Sequence, residues 1–330
     1  MRRFAFLLAV TLTVFNLTSG YAQEPEPSGR CATGARDGEV VSISVPEPMR
    51  ISSYDSNREA AVVLPTLIDG NTLIGDHVRV IWGDDYDAEN PLWQTGTGGN
   101  PLWVERLADA MELAWETLEG LGFAAPYGSP DYYLDVYVAN TGVRVRESES
   151  APWEPVTLSY LYYAYTDVHS SGACFFVFND DYSGNTSQPL AVLDAVAAHE
   201  LFHAVQRTDY PWNDETAVPA WLWWQEGWFL EATATWMEEV VFPEVDDYAT
   251  FVERFLRNPQ YPLNMKNGSH EYGAAGYAGY LWLEHGAESL WIETLANSYD
   301  PLTSEGDLEP AMEAALADRG DPSLAEVTAA

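Results

Sequence analysis

Residues 196–210 read VAAHELFHAVQRTDY and hold two of the six histidines in a chain of 330 residues. His199 and His203 lie four apart with Glu200 between them. The surrounding apolar residues, among them Leu193, Val196, Ala197, Phe202 and Val205, predict a mostly buried helix over 190–207. Residues i and i+4 of a helix project about 40° apart, so both imidazoles face one way and can share an ion. Glu200 lies about 100° round the helix and can reach a water in the ion's open position without ligating. Buried histidines one turn apart need polar partners, and a metal supplies them. Core histidines satisfied by backbone or carboxylate are the plainer alternative.

A catalytic zinc takes three protein ligands and keeps one position open. Three acids downstream are candidates for the third. Asp209 lies six residues past His203, a spacing that needs a sharp turn given by glycine at position 206, where this chain has Gln206. Glu226 and Glu231 lie in WLWWQEGWFLEATATWMEE, residues 221–239, within a second helix predicted over 219–240. Gly227 allows close approach at Glu226. Ala232, Thr233 and Ala234 do the same at Glu231, and their small side chains let two helix backbones meet, so the reading favours Glu231. Asp194 and Glu238 are the candidates for supporting the histidines from behind. His270, Tyr272 and Tyr277 are the candidates for donating to a developing oxyanion.

Upstream, strands are predicted at His77–Trp82, Tyr132–Ala139, Leu158–Tyr165 and Ala173–Asn179, with an amphipathic helix from Pro101 to about Gly120. The tyrosine-rich third strand lines a substrate groove or forms a sheet face of aromatic pairs. Further helices are predicted at 247–257, 272–285 and 287–297, and the final DPSLAEVTAA opens another. The fold class is α+β: a small, mostly antiparallel sheet, then a helical subdomain, with the histidine helix between them.

Residues 1–22 read as a secretory signal peptide: Arg2 and Arg3, an apolar run from Phe4 to Phe15, and a small-residue cleavage site at Gly20-Tyr21-Ala22. The mature protein is expected to be secreted, with no stable membrane insertion. Residues 23–76 are an N-terminal extension or small β subdomain, and 77–330 the main domain. Acidic residues number 51 against 15 basic ones, a surface that repels nucleic acid and anionic membranes. Cys31 and Cys174 form no metal motif, but an oxidising compartment allows one disulfide between them. The acidic loop Asp84–Asn90 offers oxygens for a structural Ca2+ but lacks the spacing of an EF-hand, and a solvated turn is the weightier reading.

HELFHAVQ at 199–206 followed by EATATWMEE at 231–239 resembles the gluzincin clan of zinc peptidases. It is most similar to secreted bacterial metalloproteases of the myxobacterial type. Asn179-Asp180-Asp181-Tyr182 before the first helix, and Tyr272-Gly273 after the second, belong to the same likeness, which runs roughly from His77 to Ala330. The resemblance implies a zincin-like catalytic domain, with His199, His203 and Glu231 on Zn2+, Glu200 as general base, and Tyr272 as oxyanion donor. It also implies a protein or peptide substrate and a chain cut short at its C-terminal end. A different reading is a secreted binding protein that keeps this fold without turnover. In it Trp221, Trp223, Trp224 and Trp228, four of 13 tryptophans, form a glycan- or peptide-binding surface.

Overall fold

The computed structural model describes residues 67–323 apart from 127, 130–131, 170–172, 185, 210–219, 286, 297–298, 301–304, 307 and 322, together with Val45, Pro46, Pro48 and Met49. The signal-like segment, most of 23–66 including Cys31, and the terminal run after Ser323 lie outside the described residues. Cys174 is a free, buried thiol, pushed up to about 12 by burial.

In chain order come β1 (Ile68–Asp69), β2 (Asn71–Ile74), β3 (Val78–Trp82), α1 (Leu102–Gly120), β4 (Leu134–Val138), β5 (Arg144–Val145), β6 (Glu154–Pro155), β7 (Ala164–Val168) and β8 (Cys174–Phe178). The helical half follows: α2 (Pro189–Asp209), α3 (Ala220–Val241), α4 (Ala249–Arg257), α5 (His270–Gly273), α6 (Ala275–Glu284) and α7 (Ala287–Ala296). A small ribbon, β9 (Tyr299–Asp300) with β10 (Glu305–Gly306), leads into α8 (Leu308–Arg319).

Of the seven strand pairings among the described residues, five are antiparallel. The two parallel ones are central. The main sheet has the order β2-β3-β4-β8-β7, with β3, β4 and β8 parallel and an antiparallel strand on each edge. The crossover through α1 makes the parallel β3–β4 pair possible, since parallel neighbours need a long connection. Residues 71–74, at the end of the expected N-terminal extension, form one edge of this sheet.

Strands buried on both faces read as nearly continuous apolar runs, as CFFVF does, while VRVIW and LDVYV are each interrupted once, by Arg79 and Asp135. Period-two alternation sends Val80, Val136 and Phe176 to the face covered by the helices, and Ile81, Tyr137, Val177 and Tyr165 to the other. On that second face Arg79 pairs with Asp135 in full burial, Nε to Oδ1 at 2.7 Å and Nη2 to Oδ2 at 2.6 Å.

The third strand departs from expectation: β7 begins at Ala164, and residues 158–163 form an irregular approach to it. Side-chain amides satisfy this approach in place of a neighbouring strand. Asn140 Nδ2 donates to Leu158 O at 2.8 Å, and Asn179 Nδ2 donates to Ser159 O and Tyr162 O at 3.1 and 3.0 Å. Tyr160 and Leu161 are consequently exposed, while Tyr163 and Tyr165 lie in the cores. In the acidic loop, Asp84 accepts from Asn71 Nδ2 and Asn90 caps a short turn at Pro91–Trp93. The helix expected over 272–285 breaks into α5 and α6 at Ala274. At the expected start of the last helix, Asp321 and Ser323 are not helical.

Candidate metal centre

The fold delivers α2 soon after the sheet, β8 ending at Phe178 and α2 beginning at Pro189. Its small residues Ala195, Ala197, Ala198 and Ala204 are fully buried, and Ala232 and Ala234 of α3 are nearly so, which allows the two helices to lie close. Viewed down α2, at about 100° per residue, His199, His203 and Gln206 form one stripe and Glu200 and Arg207 another. The first stripe faces α3 and the second faces β7.

On the first stripe, His199 Nε2 lies 3.1 Å from His203 Nε2 and 3.2 Å from Glu231 Oε2, and His203 Nε2 lies 3.6 Å from the same carboxylate oxygen. All three residues are buried, and they form the one group of three metal-ligating side chains this close among the described residues. Tetrahedral zinc with bonds of roughly 2.0–2.1 Å places its ligand atoms about 3.3 Å apart, so the triangle has the size of such a ligand set.

The outer ring nitrogens decide what the triangle contains. His199 Nδ1 meets Glu238 Oε1 at 3.0 Å, and a carboxylate only accepts, so Nδ1 carries a hydrogen. His203 Nδ1 meets Gln206 Oε1 at 2.7 Å. The amide orientation of Gln206 is fixed by its other contacts: Nε2 donates to Leu230 O at 3.0 Å and to Thr233 Oγ1 at 2.9 Å. Leu230 O can only accept, and the Thr233 hydroxyl donates to Phe229 O at 2.9 Å. His203 Nδ1 is therefore the donor to Gln206. With both Nδ1 positions carrying hydrogen, the neutral imidazoles turn bare Nε2 lone pairs toward each other and toward a carboxylate. Three acceptors converge, an arrangement that calls for a cation.

The electrostatics agree. Burial alone drags His199 down, but hydrogen bonds to Glu231 and Glu238, together with their charges, raise it to about 10. Burial pushes Glu231 up, yet the charge of His203 and the bonds to both imidazoles lower it to about 2.

The other sequence candidates divide clearly. Glu238 backs His199, whereas Asp194 turns away to an ion pair with Arg106, its Oδ1 accepting from Nε at 2.6 Å. Tyr272 is buried with its ring centred 6.1 Å from that of His199 and 5.4 Å from that of Phe251. The backbone beside it is tightly seated: a Cβ on Gly273 would lie 2.5 Å from Phe251 O. Two residues away, His270 meets Phe255 in a tilted ring contact at 4.6 Å with Tyr261 at its edge, and Tyr277 is half-buried against the main core. Asp209 ends α2 and Glu226 lies on α3, but both side chains, like those of Trp221, Trp223 and Trp224, are outside the described residues. Trp228 is half-buried against Phe229.

Gln206 is the functional residue that sequence reasoning missed. Its three-residue spacing from His203 was the available signal, because i and i+3 share a helix face. A scan against protein-family models finds no match, and no curated protein is significantly similar to this chain.

Proposed function

We propose that this protein is a secreted zinc-dependent endopeptidase with a zincin-like domain of the gluzincin type. The convergence of three buried acceptor atoms, with both histidine tautomers fixed from behind, carries the reading. Further support comes from Glu200 on the adjacent stripe, from the Tyr272 ring beside His199, and from the sequence likeness across both helices.

His199, His203 and Glu231 would hold the ion. Bound there, zinc supplies a Lewis acid that acidifies water and polarises a carbonyl. Glu200 takes a proton from the attacking water and hands it to the leaving amine of the scissile peptide. Tyr272 donates its phenolic hydrogen to the developing oxyanion. Glu238 and Gln206 keep the imidazoles in their ligating tautomers. The substrate is a protein or peptide chain, and export rests on the signal-like residues 1–22.

Casein or gelatin digestion by the purified protein, with and without a chelator, tests this. Activity that disappears on chelation and returns with added zinc is expected. Stoichiometric zinc without turnover of either substrate would overturn the peptidase and leave the binding-protein reading. Chelator-resistant proteolysis would remove the metal from the mechanism.

A further inference from the structure

Alternation along β7 turns Ala164 and Thr166 toward the helices, where Ala164 joins the main core and Thr166 is 2% exposed. The Thr166 hydroxyl lies 2.6 Å from Glu200 Oε2 and 2.9 Å from the main-chain oxygen of the same residue. Arg207, two turns further along the same stripe of α2, donates from Nη2 to Thr166 O at 3.0 Å. One residue of an edge strand is thus fastened to the active helix at three points. The β-branched side chain has few rotamers open to it, which adds to the constraint.

We infer that Thr166 is a positioning residue for Glu200, which rests on the peptidase reading given above. A carboxylate has two oxygens, and a general base needs one of them aimed at the reacting water. Thr166 anchors Oε2, so Oε1 is the oxygen that carries the proton. As the water O–H bond breaks, the Oε1–H bond forms. As that bond breaks in turn, the N–H bond of the leaving amine forms. Oε2 accepts from the hydroxyl whether Glu200 is ionised or protonated on Oε1, so the carboxyl keeps one direction through the transfer. The hydroxyl has one hydrogen, and the shorter contact assigns it mainly to Oε2, with Glu200 O at 2.9 Å keeping the hydroxyl close to the helix backbone.

The test uses Thr166→Val, which keeps the shape and loses the hydroxyl, and Thr166→Ser, which keeps the hydroxyl. On the zinc-loaded full chain, Thr166→Val is expected to lower kcat roughly tenfold to a hundredfold, the value of a hydrogen bond to a charged group, with KM and zinc content unchanged. Thr166→Ser restores most of kcat. In crystal structures of the two variants, the Glu200 carboxylate leaves its place in the valine form and keeps it in the serine form. Unchanged kcat in Thr166→Val, serine no better than valine, or loss of zinc in Thr166→Val would each overturn the assignment. The crystallographic result also separates this inference from the function it rests on. If the wild-type chain cleaves no peptide, a Glu200 displaced only in the valine variant still supports the anchor, and a Glu200 that stays put overturns it.

Discussion

Two polar clusters are buried in this molecule on opposite sides of one sheet, and they are built to opposite rules. Arg79 and Asp135, each 1% exposed, meet in a two-pronged ion pair that also receives Tyr137 Oη at 3.4 Å. Cation and anion are both supplied by the chain, although Arg79 Nη1 has no hydrogen-bond partner. His199, His203 and Glu231 are also buried, but there two imidazole nitrogens and a carboxylate oxygen converge at distances that could hold a metal ion. The first cluster is an ion pair complete within the chain, and the second has the size of a ligand set. Burial looks alike in the two places, and the kinds of group that meet there separate them.

The sharpest way to break this comparison is to remove an acceptor from the open cluster. Glu231→Ala should abolish stoichiometric zinc and all turnover, read by metal analysis on the purified variant. Retention of one zinc per chain would pass the third ligand to another residue. Next in size, Glu200→Gln should keep the zinc while turnover falls by roughly 10²–10⁴, the ordinary contribution of a positioned general base. Full zinc loss in that variant would make Glu200 a ligand and not a base.

The closed cluster should respond in stability instead. Arg79→Met leaves Asp135 buried without its cation and is expected to cost about 3–5 kcal/mol in denaturant unfolding, with zinc content unaffected. Replacing both members, Arg79→Met with Asp135→Leu, should recover most of that loss. A double variant as unstable as the single one would refute self-compensation. A smaller effect is expected behind the histidines. Gln206→Met removes the acceptor for His203 Nδ1 and should weaken zinc about 10–100-fold in chelator competition.

The last effect lies outside both clusters, at the residue following Glu238. Glu239 on α3 is raised to about 7 from an ordinary 4.5, first by burial and then by the charges of Asp246 and Glu244. The folded state therefore disfavours its ionised form. The resulting penalty is absent below the ordinary carboxylate range, grows as pH rises, and is complete above about 7. Glu239→Gln should stabilise the protein at pH 8 and change little at pH 4, measured by thermal melts across that range. Equal effects at both ends would dissociate Glu239 from the pH dependence.

The parts of the fold and site visible in the sequence were those that obey short-range periodicity. The i, i+4 spacing places His199 and His203 on one stripe whatever surrounds them, and the small residues after Glu231 mark where a second helix can approach. Short runs of β-branched and aromatic residues gave β3, β4 and β8 nearly to the residue. What escaped depends on partners distant in sequence. The parallel centre of the sheet follows from where α1 crosses over, which no local pattern states. Residues 158–163 have the composition of a strand, yet Asn140 and Asn179 capture their carbonyls from 17 to 20 positions away. Asp194 looked as good a support for histidine as Glu238 until Arg106, 88 residues earlier, claimed it.

Gln206 takes its orientation from Leu230 O, on the same helix that brings Glu231. The aim of one imidazole and the position of the carboxylate are therefore set by a single mechanical coordinate, the axial register of α3 along α2. A shift of that helix would misdirect two ligands at once, which makes the seat all-or-none and not gradually adjustable.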